Sequence, residues 1–269
     1  MNILVQLLLS FFLVTGSTRD LSAQHQAGND GALRTIPNNA FTVGERLTFD
    51  ISYGFITAGQ AVMTIPDYKY VNGRQAFEIN TYAVSTETMD NIFKVRDKYS
   101  TYLDVDGLYP HRFEQHVREG KYSKDYDAFF DHEEGTAETD DGQKYKIPKF
   151  VHDILSAFYY VRALDLKQYH KGDKITLQNF YDGKVHPLDV MVRGRQQVEV
   201  GAGTFNCVVV EPMVVAGGLF KNEGSIVVWL SDDENKIPVK MSSKVIIGSI
   251  SVELQNYSGL KNTASAKVQ

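Results

Sequence analysis

From Val43 onward the chain alternates between apolar and polar residues with a period of two. In Glu45–Tyr53, Leu47, Phe49, Ile51 and Tyr53 fall on one face and Thr48, Asp50 and Ser52 on the other, the pattern of a half-buried strand. Gly54 and Gly59 bracket a turn into a second strand over Gln60–Ile65. Asn72-Gly73 then predicts a tight hairpin into a third strand, Arg74–Val84, because both turn residues tolerate positive φ. Lys98–Val105, Arg112–Arg118 and Tyr122–Phe130 alternate in the same way, separated by Asp106-Gly107 and Glu119-Gly120. Asp182-Gly183 joins Lys174–Tyr181 to Lys184–Val192, and Gly201-Ala202-Gly203 joins Gln196–Val200 to Thr204–Glu211. Ser225–Leu230, Pro238–Ile247 and Ser249–Leu254 complete the series.

One stretch breaks the period. Over 151–166, Val151, Ile154, Leu155, Phe158 and Val161 recur at three and four, which predicts an amphipathic helix with Asp153 as its N-cap. A shorter helical turn is read around Ser85–Phe93. The predicted fold is mainly β: antiparallel sheets forming a sandwich or half-open barrel of about a dozen strands, with that one helix packed against them. Residues 41–258 read as a single β-rich domain, preceded by a flexible lead-in over 24–40 and followed by a flexible tail over 259–269.

The first residues carry an address. Residues 3–14, ILVQLLLSFFLV, are too few for a membrane span of about twenty residues, and Ala23 suits the position before a signal-peptidase cut. A signal peptide over 1–23 follows, although no Lys or Arg precedes the apolar run. No later stretch could span a membrane: Val208–Phe220 is interrupted by Glu211 and Pro212. The expectation is an exported, periplasmic protein, soluble after cleavage and at most peripheral to the envelope. Composition changes this picture little. A net charge of −5 argues against nucleic acid as a partner, and a single cysteine, Cys207, excludes an internal disulfide.

Four blocks carry a family resemblance: GERLTFDISYGFITAGQA at 44–61, DILSAFYYVRAL at 153–164, VEVGAGTFNCVVVEP at 198–212 and IPVKMSSKVIIGSISVELQNY at 237–257. Together they resemble the bacterial exported domain of unknown function 3108. That resemblance implies export in a Gram-negative bacterium and brings no catalytic or binding residue. In fold alone, the chain is also similar to the half-barrels that carry lipoproteins to the outer membrane, which hold an apolar lumen.

Motifs for chemistry are sparse. The seven histidines show no zinc spacing and read as surface residues; His111 and His116, five apart on one strand, point to opposite faces. Asp131, Glu133, Glu134, Glu138, Asp140 and Asp141 have the oxygen ligands of a calcium site, but read rather as a solvated hairpin tip. No nucleophile elbow, P-loop or dinucleotide fingerprint is present, so no catalytic residue, metal or cofactor is assigned. What the sequence does offer is aromatic load on both strand faces. Tyr82, Tyr102, Phe129, Phe180 and Trp229 lie opposite the regular apolar rows, and Arg162 sits on the apolar helix, free to face a lumen or to pair with a strand carboxylate. These six are candidate residues of an apolar groove for a lipid or an acylated partner such as a lipoprotein. An envelope scaffold without a cavity, or a hydrolase with a dispersed site, are the alternatives.

Overall fold

A computed structural model describes residues 33–213, 226–244 and 248–268; the predicted signal peptide lies outside them. The described strands form one antiparallel sheet of fourteen strands, ordered β8-β7-β6-β5-β4-β3-β2-β1-β14-β13-β12-β11-β10-β9, not closed into a barrel. Its first half contains β1 (Arg46–Tyr53), β2 (Ile56–Val71), β3 (Arg74–Ser85), β4 (Arg96–Asp104), β5 (Pro110–Glu119), β6 (Tyr122–Asp131), β7 (Thr136–Thr139) and β8 (Lys144–Lys146). The second half contains β9 (Lys174–Tyr181), β10 (Lys184–Val200), β11 (Gly203–Met213), β12 (Ile226–Ser231), β13 (Pro238–Lys244) and β14 (Ser249–Ser258). Pairing of β1 with β14 joins the halves.

The alternation sets which face is inside. Leu47, Phe49 and Ile51 are buried, and their cross-strand neighbours continue the core on the concave side. The hairpin signals hold: Asn72 and Gly73 both take positive φ, as do Asp182 and Gly183, the geometry that matches strand twist across a two-residue turn. Three details depart from the sequence reading. The strands expected over 184–192 and 196–200 are one strand, β10, whose register shifts at Gly194. β2 extends well past Ile65, through a register shift between Thr64 and Asp67. The stretch read as an acidic hairpin tip contains a short strand, β7, which pairs on its far side with the edge strand β8 just after it.

The helix α2 (Ile154–Ala163) lies on the concave face, and α1 (Glu87–Asp90) is a single turn between β3 and β4. Asp153 caps α2 by accepting from the N–H groups of Leu155 (2.8 Å) and Ser156 (2.9 Å), while its own N–H donates to Ser156 Oγ, the reciprocal box that satisfies a helix start. The Thr101 hydroxyl of β4 donates to Asp153 Oδ2 at 2.6 Å and ties that start to the sheet. At the other end, Arg162 Nη1 and Nη2 each meet a Glu45 oxygen at 2.7 Å, with both side chains fully buried. The carbonyl of Asn235 takes two further guanidinium bonds. Every α2 residue except Tyr160 and Ala163 is buried. Beyond the helix the two halves touch directly, through Tyr181 donating to Gln115 (3.0 Å) and Phe130 against Phe180. His152 bridges Asn179 and so covers the free edge of β9.

Residues 33–40 and 259–268, expected as flexible ends, meet one another: Lys261 Nζ donates to Asn38 O and Asn262 Nδ2 to Asn39 O, both at 2.6 Å. The Ala266 N–H also donates to Asp233, and Lys267 bridges Phe205. No helix among the described residues is long and apolar enough to cross a membrane.

Candidate functional site

The six candidate residues do not converge. Arg162 is engaged with Glu45, and burial, which opposes its charge, is outweighed by that carboxylate. Phe180 is core, packed on Phe130 and Tyr145. The other four lie on the convex face. Trp229 donates from Nε1 to Gln196 at 2.9 Å. Tyr82 is part-exposed on the far side of β3. Only Tyr102 and Phe129 are brought together, by Arg112, whose guanidinium lies over both rings (5.9 and 4.7 Å) and pairs with Glu114 (2.9 Å) and Asp127 (2.8 Å). Burial and Glu114 push the Tyr102 hydroxyl up to about 12. Tyr82 and Phe129 therefore face water, Tyr102 and Trp229 are half-buried with Trp229 packed against the core, and the groove expected between these residues and a ligand is not formed by the six.

The sequence reading of the histidines as surface residues is corrected at three positions: His111, His132 and His152 are buried. Each has a polar partner. His111 meets Asp104 at 2.9 Å, His132 meets Pro110 O at 2.8 Å, and His152 meets Ser156 and Arg34 at 3.3 Å. Burial pushes His132 down to about 4 and His152 well below its usual value, so both stay neutral. Burial opposes ionisation of Asp104, but His111, Arg74 and the Gly107 N–H outweigh it and hold the carboxyl well below the carboxylate range. Arg34 caps this group, with its guanidinium over Phe150 and Tyr160 and its donors on the carbonyls of Gly107 and Leu108. All these bonds are internal, so the group reads as a structural knot. Cys207 is buried, and burial pushes its thiol up to about 12, far from a nucleophile. No three His, Cys, Asp or Glu side chains among the described residues are placed to hold a metal. Within the acidic stretch, Asp131 accepts from the N–H groups of Glu133 and Glu134, and Glu138 pairs with Lys144.

The concave face holds a different group, which the sequence reading missed. Thr81 of β3, Tyr99 of β4, Gln115 of β5 and Tyr126 of β6 stand directly opposite one another and form one cross-strand row. Asp97, two residues before Tyr99, shares their face. Thr81, Asp97, Tyr99 and Gln115 are all buried, and Thr81 Oγ1, Asp97 Oδ2, Tyr99 OH and Gln115 Nε2 lack a partner at full hydrogen-bond geometry, with Tyr99 and Gln115 answering each other and Asp97 answering Glu119 only loosely. An unmet buried polar atom costs about 1–3 kcal/mol, and a native fold keeps few of them. Four on adjacent strands make a locus, flanked by the apolar side chains of Phe113, Val117 and Ala83.

Electrostatics mark the same place. Burial pushes Asp97 up to about 6, against the opposing pull of the Arg118 N–H (2.8 Å) and the neighbouring Glu119 carboxyl. Burial and the Asp97 charge raise the Tyr99 hydroxyl well above its usual value. Chemically the row offers an amide donor, a carboxyl that titrates near pH 6 and two hydroxyls able to donate or accept. Two open clefts of about 290 and 360 Å3 lie elsewhere, near Phe41 and Tyr68 and near Tyr257 and Leu260. Periodicity gave no pointer to the row, since Asp97, Tyr99 and Thr101 alternate with Lys98, Ser100 and Tyr102 and neither set reads as the buried one.

The model of the family described as protein of unknown function DUF3108 matches residues 48–255, and the chain belongs to that family. Among curated proteins none matches it in sequence. Among solved structures it is similar to a β-barrel-like protein of the DUF1849 family from Brucella abortus, with 15% identity and a TM-score of 0.52 over 84% of this chain and 99% of that one. Lower likenesses are to a candidate exported protein of YmcC-like fold from Bacteroides fragilis (12%, TM-score 0.35, 84% and 100%) and a candidate lipoprotein from Parabacteroides distasonis (12%, TM-score 0.36, 84% and 99%). At these identities the likeness concerns the fold alone.

Proposed function

We propose that the chain is an exported periplasmic binding module, which takes an apolar or acylated small ligand against the concave face of its sheet. The observation that carries this reading is the buried polar row of Thr81, Asp97, Tyr99 and Gln115, whose hydrogen-bonding capacity is only loosely met from within the row and from Glu119. Their donors and acceptors complement an oxygen-bearing head, such as an ester, carboxyl or hydroxyl group, while the flanking apolar residues suit a hydrocarbon body. Export is supported by the apolar run at 3–14 and by Ala23. The rival is an envelope scaffold, favoured by one observation: α2 occupies the concave face that a ligand would need.

Native mass spectrometry of the mature protein, purified from periplasm without detergent, tests the proposal. The expected result is a discrete extra mass, extractable into organic solvent and lost in a Tyr99→Phe/Gln115→Leu double variant that remains folded. A bare polypeptide mass for the wild type, with water alone meeting the row, would leave the scaffold reading standing.

A further inference from the structure

One end of the curled sheet is both apolar and basic. The β1–β2 turn, the β3–β4 connection and the β5–β6 turn stand side by side there, because β1 to β6 are neighbours in the sheet. Their contacts confirm the placement: Gly59 pairs with Ser85, Val95 bridges Glu119, and the Gly120 N–H donates to Lys94 O. Phe55 and Ile56 lie three to four residues beyond Gly59, so at about 3.3 Å per residue they project roughly 10 Å past the end of the β2–β3 ladder. Phe55 is 98% exposed, Ile92 75% and Ile56 52%, and Tyr53, Val84 and Tyr122 are part-exposed around them. Side chains this apolar, gathered in water, mark an interaction surface.

Charge at this end is the reverse of the whole chain, whose net charge is −5. Lys94 and Lys121 lie in the connections just described. Lys184 follows the β9–β10 turn, where Asp182 meets Lys124 of β6. Lys244 pairs with Ser249, whose carbonyl accepts from the Gly54 N–H. All four are exposed, and none has a described carboxylate within ion-pair distance. Asp90 and Asp182 are engaged by Arg96 and Lys124, which among the described residues leaves Glu87 on α1 and the buried Glu119 as the opposing charges.

We infer that this rim docks on an anionic lipid bilayer, with Phe55, Ile56 and Ile92 inserted at headgroup depth and the lysines against lipid phosphates. The apolar residues sit on separate projecting turns instead of a continuous flat face, a shape that enters a soft interface more readily than it matches a protein groove. Basic side chains flanking apolar tips are the combination that adds hydrophobic insertion to attraction for anionic headgroups. The inference goes beyond ligand binding and does not depend on it, since cargo-free vesicles suffice to test it.

The experiment is flotation of the mature chain with vesicles of phosphatidylglycerol and phosphatidylethanolamine, compared with phosphatidylcholine alone. Partitioning to the anionic vesicles is expected to be about tenfold stronger, and to weaken at about 0.5 M salt. Phe55→Ser/Ile56→Ser and Lys94→Glu/Lys121→Glu should each lower it about tenfold, with thermal melting unchanged because these side chains are exposed. Absence of flotation, or variants that float like the wild type, would overturn the assignment. So would a photo-crosslinker placed at Phe55 that captures protein and no lipid in whole envelopes.

Discussion

Replacing Arg162 with Met tests how the helix is held in the sheet. The Arg162–Glu45 pair is bidentate at 2.7 Å on both oxygens, has no exposed side-chain surface, and sits against the rings of Tyr159 and Phe41. Removing the guanidinium leaves the Glu45 carboxylate buried without its counter-charge and frees the Asn235 carbonyl, a loss of about 3–5 kcal/mol. For a chain of this size each kcal/mol lowers the melting temperature by about 2–4 °C, so a drop on the order of 10 °C is expected. A Glu45→Gln/Arg162→Met double variant removes both charges and should recover most of the loss, a strong coupling in a double-mutant cycle. The assay is urea unfolding at neutral pH, followed by circular dichroism. Because the pair is out of water, about 0.5 M salt should leave the loss unchanged. A loss below about 1 kcal/mol, or additive single and double variants, would mean an exposed and dispensable pair and would refute the placement of α2.

Two further outcomes follow from the buried groups. Asp97 holds its proton up to about 6 in the folded chain, against a usual value of 3.8, so the folded state binds more protons than the unfolded state between those values. Its contribution to stability is full below about pH 4 and is lost as pH rises through 6. Asp97→Asn should therefore flatten the decline in unfolding free energy, measured by urea titration between pH 4 and 7, by on the order of 2–3 kcal/mol, and an unchanged decline would remove Asp97 from the buried row. Phe180→Ala should cost about 3–5 kcal/mol as a core deletion, whereas Phe129→Ala on the convex face should cost about 1 kcal/mol or less. Equal costs would contradict the two faces assigned here.

The alternation of Leu47, Phe49 and Ile51, the turns at Asn72-Gly73 and Asp182-Gly183, and the cap and apolar spacing of 153–161 were enough to determine an antiparallel β protein with one packed helix. These are local properties: side-chain period, positive φ and an N-cap act within a few residues, and a linear pattern records them. The sequence also contained the partner chemistry of Arg162 as one of two readings, but not the choice of Glu45, 117 positions away. That choice, the burial of three histidines, and the meeting of Thr81, Tyr99 and Gln115 in one row depend on strand register and on how far the sheet curls. Where both faces of a strand mix polar and apolar residues, as in β4, periodicity cannot say which face is buried. The fourteen-stranded order decides it, by bringing the halves together around α2 and turning Asp97 and Tyr99 inward and Tyr102 out to solvent.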